Sequence, residues 1–300
     1  MKKIFFALCA LTLSLTSCDF IEDVKDDLEA IRIPSEATPA KPFTLNEFPE
    51  EPYAAYAARY TNPSGTPFAT IEFFGNGTYA MTKSTTARAA KDEVISGTFT
   101  MPDASHYLLD DGTVFDISGF ATNGSGAITV TPAGSDEVTV TVTPDAPMVS
   151  AATSALCRTW HLETSKYWFT VKGFNALYRG YSMQNGQITH EDNGFADKVS
   201  FLANGDPMTK DVWPEYVSIS PFGTYFVQFA SGKTALQSWK WSNETSGTIR
   251  LDNLDINIME YLRIATFTVR FNNGHLHLFG DVNITDVRVL AANDFTVAAQ

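Results

Sequence analysis

The chain carries several groups able to do chemistry, and their spacing decides which kind. His275 and His277 stand two apart, with Leu276 and Leu278 alternating between and after them. On an extended strand two such imidazoles share a face and are able to share a metal ion. The same alternation puts the leucines in a core and the histidines in solvent, and only Asp281 stands near as a third ligand, so no metal centre is expected. Asp252, Asn253, Asp255 and Asn257 offer oxygens to calcium. They lack the glycine and closing glutamate of an EF-hand loop, and a capped helix start accounts for them. Asp110-Asp111-Gly112 and Glu191-Asp192-Asn193-Gly194 are carboxylate clusters of the type a glycosidase places across a cleft. Asp-Gly and Asn-Gly are first of all turn formers. Cys157, before Arg158-Thr159-Trp160 at the start of an expected core strand, reads as a small buried hydrophobe rather than a nucleophile. No Gly-x-Ser-x-Gly, Walker loop, dinucleotide fingerprint or His-Glu-x-x-His occurs. The expectation is a protein that is not an enzyme and holds no cofactor.

The aromatic residues are the stronger site material. All five tryptophans, Trp160, Trp168, Trp213, Trp239 and Trp241, lie in the second half, near Tyr167, Tyr178 and Tyr181. Exposed, such rings stack on sugars or line an apolar pocket; buried, they are core, which aromatic side chains dominate in β-proteins. Trp160, Trp168, Trp239, Trp241, Tyr178 and Tyr181 are the candidate ligand-binding set.

Charge narrows the partners. The net charge is −13, and ten acids against three bases leave −7 on residues 18–51 alone. Nucleic acid and anionic headgroups both require clustered Lys and Arg, which are missing. Residues 33–52 carry Pro34, Pro39, Pro42, Pro49 and Pro52, the composition of an extended, fairly stiff spacer. Before them Phe20, Val24, Leu28 and Ile31 recur at helical spacing in an acid-rich tether.

The elements that must position any site are strands. Ile128-Thr129-Val130-Thr131 and Val138-Thr139-Val140-Thr141-Val142-Thr143 alternate around a glycine-containing turn, which predicts a hairpin with valine and isoleucine inward. Phe267, Val269 and Phe271, then Asn272-Asn273-Gly274, then Leu276 and Leu278 predict another. Helices are expected only over Tyr53–Arg59 and Ile256–Arg263. An internal repeat joins the halves. Ile71 to Tyr79 matches Val217 to Tyr225 at an offset of 146. Ser96 to Thr100 matches Ser238 to Ser242 at 142, as Tyr107 and Leu109 match Ile249 and Leu251. Gly173 to Asn193 is an insertion in the second half, a long loop or an extra hairpin. The alternative to two modules is one continuous sheet in which the halves pair.

Two resemblances follow from these residues. Lys2 and Lys3, the apolar run Ile4 to Leu15, and Leu15-Thr16-Ser17-Cys18 resemble the signal peptide and lipobox of bacterial lipoproteins. That resemblance implies cleavage before Cys18 and acylation on it, including palmitate; two or more chains anchor stably where one does not. Asp19-Phe20-Ile21-Glu22-Asp23 resembles the export signal of Bacteroidetes-type surface lipoproteins, which implies the outer face of the outer membrane. The repeated unit resembles the lipocalin-like modules of such lipoproteins: Arg158-Thr159-Trp160-His161-Leu162 as opening strand, the Ile219 to Tyr225 hairpin, then Ser238-Trp239-Lys240-Trp241. The first half departs from it, with no opening tryptophan and Phe99 in the aromatic strand.

The expected organisation is a signal peptide over 1–17, a tether over 18–52, β-module 1 over 53–147 and β-module 2 over 148–300. The expected fold is all-β, with two tandem antiparallel lipocalin-like β-barrel or sandwich modules behind a lipid anchor. The expected role is non-catalytic binding of a small apolar ligand or a glycan by the second module; the alternative is a structural or assembly lipoprotein that binds a protein partner, and a hydrolase, whose motifs are missing, ranks behind both.

Overall fold

A computed structural model describes residues 58–83, 93–119, 126–171, 177–192, 208–252, 265–284 and 287–298. It is nearly all strand and forms two closed, eight-stranded antiparallel barrels of lipocalin-like type. Among the described residues the halves share no sheet.

The first barrel runs β1 (Ala58–Thr61), β2 (Thr70–Phe73), β3 (Thr78–Lys83), β4 (Glu93–Asp103), β5 (His106–Leu109), β6 (Val114–Asp116), β7 (Gly126–Thr131) and β8 (Val138–Pro144). Each strand pairs with the next, and β1 closes the ring on β8. The β7–β8 hairpin has the expected alternation: Ile128, Val130, Val140 and Val142 are buried, while Thr139, Thr141 and Thr143 face water. Phe73 stacks on Tyr107 at 4.0 Å and meets Phe115 edge-on, filling the middle of the barrel. The helix expected over Tyr53–Arg59 is corrected where it is described, since Ala58 and Arg59 pair with Phe73 and Glu72. A strand that must satisfy a neighbour on each side to close a barrel overrides the weak helical propensity of a few alanines. The helix expected over Ile256–Arg263 lies outside the described residues.

A six-residue helix, α1 (Ala151–Leu156), opens the second half. The sequence there reads as a small, polar boundary, but Ser150 caps the helix by accepting from the Thr153 N–H at 2.9 Å. The second barrel follows: β9 (Thr159–Val171), then, after the inserted β10 (Leu177–Gln184) and β11 (Gln187–Asp192), β12 (Tyr216–Ile219), β13 (Thr224–Gln228), β14 (Thr234–Asn243), β15 (Thr248–Asp252), β16 (Thr266–Asn272), β17 (His275–Ile284) and β18 (Val287–Val297). Pairing of β18 with β9 closes it. The insertion is the hairpin alternative, turned on Asn185-Gly186, both at positive φ. It pairs with the second half of β9, whose first half pairs with β12.

The repeat is structural. Gly77 and Gly223 take the same left-handed turn, at φ 77 and 83. The Gly77 carbonyl accepts from Phe99 N–H, and the Gly223 carbonyl from Trp239 N–H, both at 2.8 Å. Phe99 thus corresponds to Trp239, not to Trp241, and the offset in this strand is 140 rather than 142. A two-residue slip leaves every inward side chain inward, so alternation alone does not distinguish the two registers.

The barrels meet through corresponding faces, β2–β4 against β12–β14. Phe74 stacks on Phe226 at 5.3 Å with Ala80 and Leu236 beside them. Ser96 and Thr234 share a hydrogen bond at 3.1 Å, and Arg59 donates to Phe222 O and Thr224 Oγ1, both at 3.2 Å.

Candidate binding surface

The barrel interiors leave little for a ligand. In the second, Trp160, Val217, Val227, Ile249, Val269 and Leu276 are fully closed to water, and Trp239 is 3 % exposed. The tryptophans are fixed by their indole N–H groups as well as by their rings. Trp160 donates to Leu156 O, Trp241 to Thr153 Oγ1 and Trp239 to Ser220 O, each at 2.9 Å. Two of these bonds run to α1, so the unanticipated helix is a plug on which the indoles hang. The Arg158 guanidinium lies over the Trp160 ring at 5.4 Å. Tyr181 is 2 % exposed and packs edge-on against Tyr167, which also belongs to this core. Of the candidate set, Trp160, Trp239 and Tyr181 therefore belong to the interior, and Trp241 is partly buried against it.

Trp168 and Tyr178 face the other way. Simple alternation from Trp160 through Leu162 would send Trp168 inward. The β9–β18 register shifts between Asp294 and Phe295, opposite Thr164 and Leu162. That bulge reverses the parity beyond Glu163. Tyr167 then joins the core, and Trp168 joins a small separate cluster with Leu290, Tyr178 and Ala292 on the outer face. Tyr178 leans on Trp168 at 5.5 Å and bonds through its hydroxyl to Glu191.

The rest of that outer face is the densest array of polar and aromatic groups among the described residues. On β17, His275, His277 and Phe279 stand as parallel rings, 6.1 Å from each to the next. His275 Nδ1 lies 2.9 Å from Asp294 Oδ1 on β18, and His277 Nδ1 lies 3.5 Å from the same oxygen. One strand further, His161 Nδ1 meets Glu163 Oε1 at 3.0 Å, and Thr296 donates to that oxygen at 2.8 Å. The His161 ring lies 5.1 Å from Tyr216 on β12. Arg270 on β16 pairs in register with His277. The surface thus crosses five adjacent strands from Tyr216 to Arg270; Trp168 and Leu290, on the same side of the sheet, are each 2 % exposed and so present little to a ligand.

Its electrostatics follow from these contacts. The Thr296 hydroxyl, then His161, holds the Glu163 carboxyl below its ordinary range and keeps it ionised. Partial burial pushes the His277 imidazole down, against the pull of Asp294. At neutral pH the face therefore presents an ionised Glu163, an uncharged His277 imidazole, hydroxyls and a guanidinium, with phenyl and phenol rings at its margins. Among the described residues no hydroxyl or thiol bonds to His275 or His277, and no group of three or more His, Cys, Asp or Glu is arranged to hold a metal ion.

The remaining sequence candidates sit elsewhere. Cys157 is buried at 2 %, and burial pushes its thiol far up, which leaves it inert. Asp110 accepts from Thr98 N–H at 3.0 Å and Asp111 from Thr113 N–H at 2.8 Å, as turn residues do. Cys18, the tether, Asp255 and Asn257 lie outside the described residues. Sequence reasoning placed His275 and His277 in solvent. It missed their partners, because Asp294, Glu163 and His161 are brought in only by strand pairing.

No protein-family model matches the chain, and no curated protein matches it. Among solved structures, it is similar to a protein of unknown function from the DUF3598 family of Nostoc punctiforme PCC 73102. That match has 9% identity and a TM-score of 0.21, over 81% of this chain and 94% of that one. It is also similar to the isotype 1 transferrin binding protein B of serogroup B Neisseria meningitidis. There the identity is 9% and the TM-score 0.18, over 82% of this chain and 43% of that one.

Proposed function

We propose that this chain is a non-catalytic, lipid-anchored binding protein of the cell envelope that holds a neutral glycan on the outer face of its second barrel. The observation that carries the reading is the row His275, His277 and Phe279 standing over Asp294, beside Glu163, on a rigid sheet whose interior is closed. Recognition of a polyhydroxyl ligand takes closely spaced donors and acceptors fixed in place, with ring faces for the apolar side of the sugar. The face supplies both. A small apolar ligand in the barrel mouth is disfavoured by the packed tryptophans. A protein partner is disfavoured by the polar make-up of the row, since the hot spots of protein interfaces centre on large apolar or aromatic anchors.

The anchor follows from the sequence. Cys18 carries the acyl chains, the acidic residues behind it direct the protein to the outer surface of the outer membrane, and the proline-rich stretch holds the barrels away from the lipid. Labelling with radioactive palmitate tests the first step: wild type incorporates it and Cys18→Ala does not.

Calorimetric titration with a panel of neutral and acidic oligosaccharides tests the ligand. The reading expects a neutral glycan to bind wild type and Phe279→Ser with His277→Ala to lose it. Binding that survives both substitutions places the site elsewhere.

A further inference from the structure

We propose that the joint between the two barrels is a proton-operated latch built on Glu72. Glu72 sits on the outward side of β2, where a strand residue ordinarily meets water, and the second barrel covers it until it is 4 % exposed. Its Oε2 accepts from the Thr224 hydroxyl across the joint, and Ser220 supplies a second hydroxyl. Among the described residues its Oε1 has no hydrogen-bond partner. A carboxylate buried with half its acceptors unmet is costly, whereas the neutral acid needs far less solvation. Burial accordingly raises the affinity of Glu72 for its proton, outweighing the hydroxyls and the attraction of Arg59.

The charged groups around it do not remove this cost. Arg59 on β1 is the nearest cation, but its Nε is held by Asp145, just after β8, at 3.0 Å, and Asp145 itself repels a Glu72 charge. From the second barrel come Cys157, whose own ionisation Glu72 opposes, and Arg158 behind it. Thr224 is shared, since it donates to Glu72 while accepting from Arg59. Ionisation of Glu72 would place a charge in the joint that also holds the Phe74–Phe226 stack and the Ser96–Thr234 bond.

The sign is that of a carboxyl bound more tightly to its proton when the joint is closed. The contribution is complete below the ordinary glutamate value and is lost as pH rises through the raised one. The barrels therefore stay docked in acid and part as the solution turns alkaline, each remaining folded.

Paired dyes on Ser135→Cys and Glu244→Cys report the joint, in a chain with Cys9 and Cys18 changed to serine; Cys157 is buried and does not label. From about pH 5 to about pH 9 the transfer efficiency should fall at least about twofold with Glu72 present. It should stay flat in Glu72→Gln and in Glu72→Leu. Tryptophan emission should stay native throughout, since every tryptophan is in the second half. A flat profile with Glu72 present, or the same fall in both variants, overturns the latch.

Discussion

His275 and His277 direct their Nδ1 atoms at one and the same oxygen, Asp294 Oδ1 on the neighbouring strand. The shared carboxylate fixes the orientation of both rings and leaves their other nitrogens as the ones able to meet a ligand. A rigid row of hydrogen-bonding edges results, built from three side chains on two strands.

Removing that carboxylate should disorder both imidazoles without disturbing the core behind them. Asp294→Ala is expected to weaken glycan binding about tenfold or more, the worth of a charge-assisted hydrogen bond. Titration calorimetry, with a melting curve as control, checks this.

Acid should act on the same row. The His277 imidazole binds its proton more weakly in the folded chain than in the unfolded one, because burial opposes the charge. Its contribution is complete above about 6.5, the unfolded value, and is lost as pH falls through the lower folded value. Urea unfolding followed by tryptophan emission should show a drop in stability on mild acidification, and His277→Gln should abolish that step. The depressed Glu163 carboxyl loses its contribution only at lower pH, so the two effects separate.

The buried tryptophans should behave as structure. Trp239→Ala is expected to destabilise the second barrel by about 3–5 kcal/mol, since it empties a packed site and removes the indole donor from the Ser220 carbonyl. Denaturant titration measures it. Iodide should quench little of the native emission, and glycan binding should leave that emission nearly unchanged, apart from whatever Trp168 reports beneath Tyr178.

The two repeat glycines give an internal comparison. Both have positive φ, but an added Cβ at Gly223 would lie 3.1 Å from Trp239 O, against 3.7 Å from Phe99 O at Gly77. Gly77→Ala should cost about 1 kcal/mol from the left-handed backbone alone, and Gly223→Ala should cost more. Thermal unfolding of the two variants ranks them.

What could be read in the residues beforehand was whatever period and local chemistry encode. Alternation in the 128–143 and 267–278 stretches gave the hairpins, and the Thr-Tyr match at 78–79 and 224–225 gave the repeated module. The candidate surface was only half visible. The histidines showed their face through Leu276 and Leu278. Nothing near them in sequence pointed to Asp294 or Glu163, which barrel closure supplies. Trp168 misleads for a physical reason, because one bulge in β9 inverts its parity and no local residue announces it. The α1 plug was hidden too: a six-residue stretch with a serine cap looks like a linker until two indoles, those of Trp160 and Trp241, need partners.

The most direct test of a binding site on the outer face of the second barrel follows the imidazole proton resonances of His161, His275 and His277 during titration with a glycan that binds. These resonances should shift saturably, with the indole N–H signals of Trp160 and Trp239 unmoved. Shifts of those indoles with the histidines unmoved would contradict such a site and return the ligand to the barrel interior.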